Sequence, residues 1–176
     1  APMRQLKVAH ALEQGTQIGP VAEARQLQQN LDYLQLAKAD GATLVEGGEL
    51  LALEPAGHYM RPALFTHTTN QMRINREEVF GPIACVIRVS DYEQALAVLN
   101  DTEYGLTAGI ITQSLRYASD FKRRARTGCV MVNLPTAGTD YHVPFGGRKN
   151  SSFGPREQGQ YAREFYTVVK TTYVRP

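Results

Sequence analysis

The chain has 176 residues, enough for one domain with a hydrophobic core, and 43% of the residues are hydrophobic. Its net charge of +2 at pH 7 gives no indication that it binds nucleic acid. No apolar run is long enough to span a bilayer, and the basic residues near the start are not followed by the apolar stretch of a signal peptide.

The first predicted element is a long helix. A loop over residues 15–20 leads into a helix over about 21–40, because Leu27, Leu31 and Leu34 recur at helical spacing. The residues predicted to cover the opposite, polar face are Gln28, Gln29, Asn30 and Asp32.

Short extended pieces are predicted next. Gly41 supplies the stop signal of the helix, and residues 43–45 are predicted as a strand. Residues 51–53 and 59–65 are predicted to form a hairpin-like excursion, since prolines and a glycine interrupt the apolar sequence. Residues 72–75 are predicted to be extended.

An alternation of strands and helices follows. Residues 83–89 form a continuous apolar run, which predicts a strand buried on both faces of a parallel sheet. Ser90 and Glu93 are predicted to form the capping box of a short helix. The residues predicted to face inward in that helix are Ala95, Leu96 and Leu99.

Two further strands, over 107–112 and 129–132, flank a helix that Ser114 is predicted to cap. The residues predicted to face inward in that helix are Leu115, Ala118, Phe121 and Ala125. Its last turns are rich in Lys and Arg, which the helix dipole stabilises there, so we interpret this basic run as a helix end rather than a nucleic-acid site. The order of elements predicts right-handed crossovers and a parallel sheet.

The pattern changes near the C-terminus. Residues 134–142 have no periodicity and predict a long loop of the kind that often carries function. Residues 164–174 are rich in Tyr, Thr and Val and predict a final strand outside the first sheet. An unpaired strand of this kind invites pairing with another chain.

Residues 77–82, Glu-Glu-Val-Phe-Gly-Pro, place a carboxylate and an aromatic ring at the start of a predicted strand. A carboxylate can accept hydrogen bonds from both vicinal hydroxyls of a ribose, and the ring can pack on the sugar or the base. A structural alternative is a solvated Glu pair before a Gly-Pro turn.

Four further motifs accompany this stretch, at 100–106 (Asn-Asp-Thr-Glu-Tyr-Gly-Leu), 132–133 (Val-Asn), 144–149 (Pro-Phe-Gly-Gly-Arg-Lys) and 166–171 (Tyr-Thr-Val-Val-Lys-Thr). In this order they resemble the C-terminal part of the aldehyde dehydrogenase superfamily over nearly the whole chain. Residues 134–149 and 153–159 resemble the α-ketoglutaric semialdehyde dehydrogenase subgroup.

The resemblance implies roles for individual residues. Glu78 would contact the nicotinamide-side ribose of NAD or NADP, with Phe80 beside the same part of the cofactor. Phe145 would line the substrate tunnel, and Thr139 and Tyr141 would donate hydrogen bonds to an acidic aldehyde. Thr136 is a further candidate donor in the same loop.

The resemblance also implies a reaction in which a Cys thiolate attacks the aldehyde, hydride passes to the cofactor and a Glu-activated water hydrolyses the thioester. In the family, that Cys and Glu lie earlier than this sequence begins. We therefore expect no catalytic residue in the chain and no activity of the chain alone. Cys85 and Cys129 lie in apolar runs without neighbouring positive charge, which favours buried structural thiols in a reducing cytoplasm. The four histidines show no metal-ligand spacing.

The sequence thus predicts an α/β protein, a truncated parallel-sheet catalytic domain of the aldehyde dehydrogenase fold with a C-terminal oligomerisation strand. Residues 1–150 would belong to the catalytic domain and 151–176 to the oligomerisation tail. We expect a small aldehyde as substrate, a homo-oligomer formed through the tail, and neither nucleic acid nor membrane as partner. The alternative is a non-catalytic oligomerisation module.

Overall fold

The computed structural model describes residues 2–176 and has the predicted α/β architecture, with parallel strand pairs and interleaved helices. Its residues group into two units, 1–88 and 89–176. The predicted domains over 1–150 and 151–176 are defined by their expected function, whereas these units are defined by contacts between residues. The two predicted domains therefore stay a prediction.

The first unit begins with a 3₁₀ turn over Pro2–Gln5 and contains two helices and five strands. The helices are α1 (Ala24–Ala39) and α2 (Arg73–Arg76). The strands are β1 (Thr43–Glu46), β2 (Leu50–Leu51), β3 (Tyr59–Met60), β4 (Ala63–Thr66) and β5 (Ile83–Cys85).

The first unit is built around strand β4. It pairs antiparallel with β1 and parallel with β5, while β2 and β3 form a separate antiparallel pair. Leu34 and Ala37 of α1 pack with Met60, Ala63 and Phe65 in the core. The predicted strand over 43–45 and the predicted hairpin-like excursion are confirmed.

The predicted helix over 21–40 is also confirmed, with a later start at Ala24. Val21 stays outside the helix because its backbone N–H donates to the carbonyl of His58 at 2.9 Å. Gly41 has a φ of 93°, and the N–H of the next residue, Ala42, returns to the carbonyl of Ala37 at 2.9 Å. Gly41 is therefore the predicted C-terminal stop.

Two predictions of extended structure in the first unit are wrong. Residues 72–75 are not extended, since α2 forms there and buries Ile74 in the core. A run this short carries no period from which a strand could be told from a helical turn. The strand predicted over 83–89 ends at Cys85, and Ala84 and Val86 face solvent. This strand lies at the edge of its sheet, and the alternation of half-buried and exposed residues along it shows that only one of its faces is covered.

The second unit contains three α-helices and two strands, together with short 3₁₀ helices over Lys149–Ser151 and Gly159–Tyr161. The helices are α3 (Tyr92–Asn100), α4 (Leu115–Arg124) and α5 (Ala162–Tyr166), and the strands are β6 (Thr107–Ile110) and β7 (Cys129–Val132). Strands β6 and β7 pair in parallel in register, as predicted for a strand–helix–strand crossover. The predicted sheet does not include β5 as its first strand, because β5 pairs with β4 instead. Leu96 of α3 and Phe121 and Ala125 of α4 pack with Ala108 of β6 in its core.

The helix caps of the second unit are confirmed in one case and corrected in the other. Ser114 accepts a hydrogen bond from the backbone N–H of Tyr117, as predicted. The cap of α3 is Asp91 rather than Ser90, because its carboxylate accepts from the N–H of Gln94 at 2.8 Å. Leu115, predicted to face inward, is 81% exposed because it opens the first turn of α4, beyond the core stripe of that helix.

The C-terminal strand prediction fails within this chain. Residues 164–166 belong to α5, and residues 167–176 are exposed and form no strand. A β-rich composition specifies a strand only where a partner strand completes its hydrogen bonds. Pairing of this segment with another chain stays a prediction.

Candidate functional site

The two carboxylates that precede β5 have different surroundings. Arg73 donates to both carboxylate oxygens of Glu77, at 2.8 and 2.9 Å, and the Tyr33 hydroxyl donates at 2.6 Å. Arg73 first, and then Tyr33, hold the pKa of Glu77 below its usual value. The Glu77 carboxylate is therefore engaged in local structure.

Glu78 lies on the surface, and no hydrogen bond or ion pair links its carboxylate to another residue within 2–176. Phe80 follows with a φ of 58° and is 76% exposed. A positive φ is uncommon for an aromatic residue and persists only where the surroundings fix it. The loop over 77–82 thus presents a free carboxylate and an exposed ring on a fixed backbone.

Side chains of α1 supply that fixation. The Gln26 amide donates to the carbonyls of Val79 and Phe80 at 3.0 and 3.1 Å, and Gln29 donates to that of Val79 at 3.3 Å. No sequence pattern predicts a role for Gln26, and Gln29 is predicted only as part of a polar face. A cluster of amides in an otherwise amphipathic helix is the signal that could have marked them.

Asn30, predicted on the polar face, is fully buried, so that prediction is wrong. Its side chain accepts from Gln26 at 3.0 Å and donates to the sulfur of Met60 at 3.6 Å. It packs directly under Gly81, where an added Cβ would lie 2.4 Å from the Asn30 amide oxygen. The amide is stable in the core because its polar atoms are partnered.

The three predicted substrate residues lie in the second unit. Phe145 is half-buried and exchanges two backbone hydrogen bonds with Glu157, at 2.8 and 2.9 Å. Tyr141 is 85% exposed, and its carbonyl accepts from the N–H of Gly159 at 3.1 Å. Thr139 is half-buried in the same loop. The segment over 157–159 therefore fixes the loop by hydrogen bonds to its backbone. These bonds do not use the side chains of the three predicted residues, which could still contact a ligand.

The turn after Phe145 depends on close backbone approach. An added Cβ at Gly128 would lie 1.7 Å from the carbonyl oxygen of Gly146. The Arg156 guanidinium donates to the carbonyl of Gly147, and the N–H of Gly147 donates to the Ser152 hydroxyl at 2.6 Å. These supporting contacts were not predicted, because they join residues that no periodic pattern relates.

Two of the remaining motifs form a structural junction. The carbonyl of Gly105 accepts from the N–H groups of Gly128 and Arg148, both at 2.9 Å. The Lys149 ammonium donates to the carbonyls of Asn100 and Thr102, both at 2.8 Å. Hydrogen bonds between the motifs over 100–106 and 144–149 thus connect the end of α3 to the turn after Phe145.

Asn133, in the motif over 132–133, extends the pairing of β6 and β7 beyond the end of the strands. It has a φ of 57°, its side-chain oxygen accepts from the N–H of Thr112 at 2.8 Å, and its amide donates to the carbonyl of Thr112 at 2.9 Å. The side chain therefore imitates a strand partner at the point where the chain leaves β7 and enters the loop.

Neither cysteine has the environment of a nucleophile. Both are free thiols, each half-buried on a strand. Burial raises the pKa of the Cys85 thiol, which disfavours the reactive thiolate. The Cys129 sulfur lies 3.9 Å from the carbonyl oxygen of Gly146, a weak structural contact.

In residues 2–176, no group of three or more His, Cys, Asp or Glu side chains converges in a way that could hold a metal ion. Over the same described residues, no helix has both the length and the apolar character that crossing a membrane requires.

The five predicted site residues form two groups. Glu78 and Phe80 lie in the first unit, and Thr139, Tyr141 and Phe145 lie in the second.

The chain matches the model of the "Aldehyde dehydrogenase family" over residues 1–172. It is 37% identical over 175 residues to an α-ketoglutaric semialdehyde dehydrogenase of Bacillus subtilis, covering 98% of this chain and 36% of that protein. It is 45% identical over 160 residues to an α-ketoglutarate semialdehyde dehydrogenase of Haloferax volcanii, covering 89% of this chain and 33% of that protein.

Among solved structures, the chain is similar to betaine aldehyde dehydrogenase from Staphylococcus aureus in complex with NAD+. The TM-score is 0.87 at 28% sequence identity, covering 95% of this chain and 33% of that chain. The chain therefore spans about a third of the length of the relatives it matches.

Proposed function

This chain belongs to the aldehyde dehydrogenase family, and we propose that it supplies the ribose clamp and one wall of the substrate pocket in an NAD(P)-dependent aldehyde dehydrogenase. The clamp is Glu78 with Phe80, and the wall is Phe145 with the loop before it. When bound, the NAD(P) cofactor would accept the hydride that the aldehyde loses on oxidation. The residues of this chain would orient the cofactor and enclose the substrate.

The observation that carries the proposal is the contrast between Glu77 and Glu78. Arg73 and Tyr33 occupy the Glu77 carboxylate, whereas Glu78 is exposed in the same loop as the exposed Phe80 ring. Two carboxylate oxygens can accept both hydroxyls of a vicinal diol through charge-assisted hydrogen bonds. The residues therefore fit a nucleotide ribose, and the NAD+ complex of the S. aureus relative supports this proposal.

The experiment compares Glu78→Gln with Glu77→Gln in the complete protein. We expect Glu78→Gln to weaken NAD(P) binding about tenfold, because a hydrogen bond to a charged group contributes about 1.5–3 kcal/mol when buried and less at an exposed site. Glu77→Gln removes the same charge from the same loop and should change the dissociation constant by less than about twofold. Fluorescence titration of the cofactor measures both, and an equal loss in the two variants would refute the clamp.

We propose an acidic aldehyde, such as α-ketoglutaric semialdehyde, as substrate. The support is the name of the two relatives that the chain resembles and the loop chemistry. Tyr141 presents an exposed hydroxyl, and Thr139 offers a second one in the same loop. Hydroxyl donors on a wall that also carries the Phe145 ring suit a molecule with an aldehyde at one end and carboxylate and keto oxygens at the other.

We infer that the catalytic thiolate and the general base come from other residues of the complete protein. The support is the strand position of Cys85 and Cys129 and the burial that raises the pKa of the Cys85 thiol. Turnover of a short aldehyde by the 176-residue chain on its own would contradict this inference. Free thiols also fit a reducing compartment such as the cytoplasm.

We also propose that the tail over 167–176 pairs with a strand of a second copy in a homo-oligomer. Its side chains, including Val169 and Tyr173, are almost fully exposed, and no strand accompanies it within the described residues. An exposed β-rich segment is a template for pairing between chains. Removing 167–176 from the complete protein should lower the assembly mass in light scattering, and an unchanged mass would contradict the proposal.

A further inference from the structure

A cavity of about 410 Å³ lies in the second unit, where the C-terminal ends of α3 and α4 meet. Its lining includes the apolar side chains of Leu96 and Ala125. The charged residues of the lining are Glu93, Arg123, Arg124, Arg126 and Arg148. Four guanidinium groups against one carboxylate give this cavity a positive excess that nothing in the proposed dehydrogenase role requires.

Two of the four arginines are already compensated. Arg124 donates to both carboxylate oxygens of Glu93, at 2.9 and 2.7 Å, and to Asp120 at 3.0 Å. Arg123 lies 3.6 Å from the same aspartate. These groups form a structural network that fixes the wall of the cavity and leaves little charge for a ligand.

The charges of the other two arginines, Arg126 and Arg148, are not compensated within the described residues. Arg126 and Arg148 have no ion-pair partner in the part of the chain that the structure describes. Their backbones are nonetheless fixed, since the N–H of Arg126 donates to the Asn100 side-chain oxygen at 2.7 Å and that of Arg148 to the carbonyl of Gly105 at 2.9 Å. Two arginines whose side chains no carboxylate within 2–176 neutralises therefore line one cavity from anchored backbones.

The helix ends do not cancel this charge. The C-terminal carbonyls of a helix carry partial negative charge and would repel an anion. In this cavity the Asn100 amide donates to the carbonyl of Arg124 at 3.0 Å, and the Lys149 ammonium donates to the carbonyl of Asn100 at 2.8 Å. These two carbonyls already accept hydrogen bonds, which reduces the negative potential that the helix ends bring to the cavity.

We propose that this cavity binds a dianionic phosphate group between Arg126 and Arg148. The planar guanidinium matches the oxygens of phosphate in a two-bond fork, and a cavity of 410 Å³ admits either inorganic phosphate or the phosphate of a small monoester. All of its lining residues belong to the second unit, whereas Glu78 belongs to the first. The proposal therefore concerns a ligand other than the ribose of the cofactor.

The test is isothermal titration of the complete protein with inorganic phosphate, in the presence of saturating NAD and with chloride at equal ionic strength as the reference. The double variant Arg126→Gln/Arg148→Gln is compared with Arg116→Gln/Lys122→Gln. The control removes the same charge from α4 at residues outside the cavity lining. Thermal unfolding of each variant verifies that the fold is retained.

We expect saturable phosphate binding that weakens at least about tenfold in the cavity variant and less than about twofold in the control. The single variants Arg126→Gln and Arg148→Gln should each show part of the loss. Adenosine monophosphate in place of phosphate distinguishes a monoester ligand from the free ion by its tighter binding. The absence of saturable binding by the unsubstituted protein, or an equal loss in both double variants, would overturn the proposal.

Discussion

The loop over 77–82 and the loop over 133–147 are held in place by different means. Amide side chains of α1 hold the first loop, since Gln26 and Gln29 donate to its carbonyls and Asn30 packs under Gly81. Backbone hydrogen bonds to the segment over 157–159 hold most of the second loop, and the Arg156 and Ser152 side chains contact only its end at Gly147.

This difference predicts how each loop responds to substitution. A loop held by side chains loses its position when one of those side chains is replaced, even if that residue is distant in sequence. The residues that hold the loop therefore tolerate few substitutions. A loop held by backbone pairing tolerates many side chains but not a change in backbone spacing. The second arrangement would let an exposed side chain such as Tyr141 change without altering the backbone of the loop.

The largest expected effect is on backbone spacing in the second loop. Gly128→Ala would place a Cβ 1.7 Å from the carbonyl oxygen of Gly146, and neither backbone can move without disturbing β7 or the turn after Phe145. We expect a loss of about 3 kcal/mol in the free energy of unfolding, the upper range for an overpacked site. Chemical denaturation of the complete protein measures it.

Gly154→Ala is the matched control. Gly154 lies in the same unit with a φ of 80° and no atom within 4 Å of an added Cβ, so alanine there adds backbone strain without a clash. We expect a loss of about 1 kcal/mol. If the two variants were equally destabilised, the close approach to Gly146 would not be what excludes a side chain at Gly128.

The elements that the sequence predicts well are those with a clear period or a local signal. Helix α1 and the β6–α4–β7 unit follow from leucine spacing, a serine cap and apolar runs of strand length. The four-residue helix α2 and the short edge strand β5 are predicted wrongly, because their form depends on what covers them rather than on pattern. Edge position is a tertiary property.

The candidate site divides in the same way. Glu78 and Phe145 could be proposed from local motifs and a family resemblance, whereas Gln26 could not. Gln26 contacts Val79 across 53 residues of sequence, and nothing in a helical period distinguishes an amide that holds a loop from one that meets solvent. Asn30 shows the same limit, since this polar residue is buried only because two partners satisfy it.

An intermediate effect is expected for the side chain that holds the first loop. Gln26→Leu leaves the carbonyl of Phe80 without its side-chain donor and that of Val79 with Gln29 alone, which should cost about 1 kcal/mol of stability. It should also weaken cofactor binding several-fold, because Phe80 is then free to leave its positive φ.

Gln28→Leu is the control for this prediction. Its amide donates to Asp32 at 2.8 Å on the exposed side of the same helix, so the substitution is chemically identical but remote from the loop. Equal cofactor affinities in the two variants, measured by fluorescence titration, would show that α1 does not position the clamp.

The smallest effect is expected at Tyr141, where the backbone rather than the side chain holds the loop. Tyr141→Phe removes one exposed hydroxyl and leaves the hydrogen bond from Gly159 to the Tyr141 carbonyl intact, so stability should not change. The KM for α-ketoglutaric semialdehyde should rise about threefold through loss of one neutral hydrogen bond, while that for propionaldehyde stays constant. Tyr166→Phe, at another exposed tyrosine, should change neither value. A rise for both aldehydes in Tyr141→Phe would assign the hydroxyl to the shape of the loop rather than to recognition of an acidic substrate.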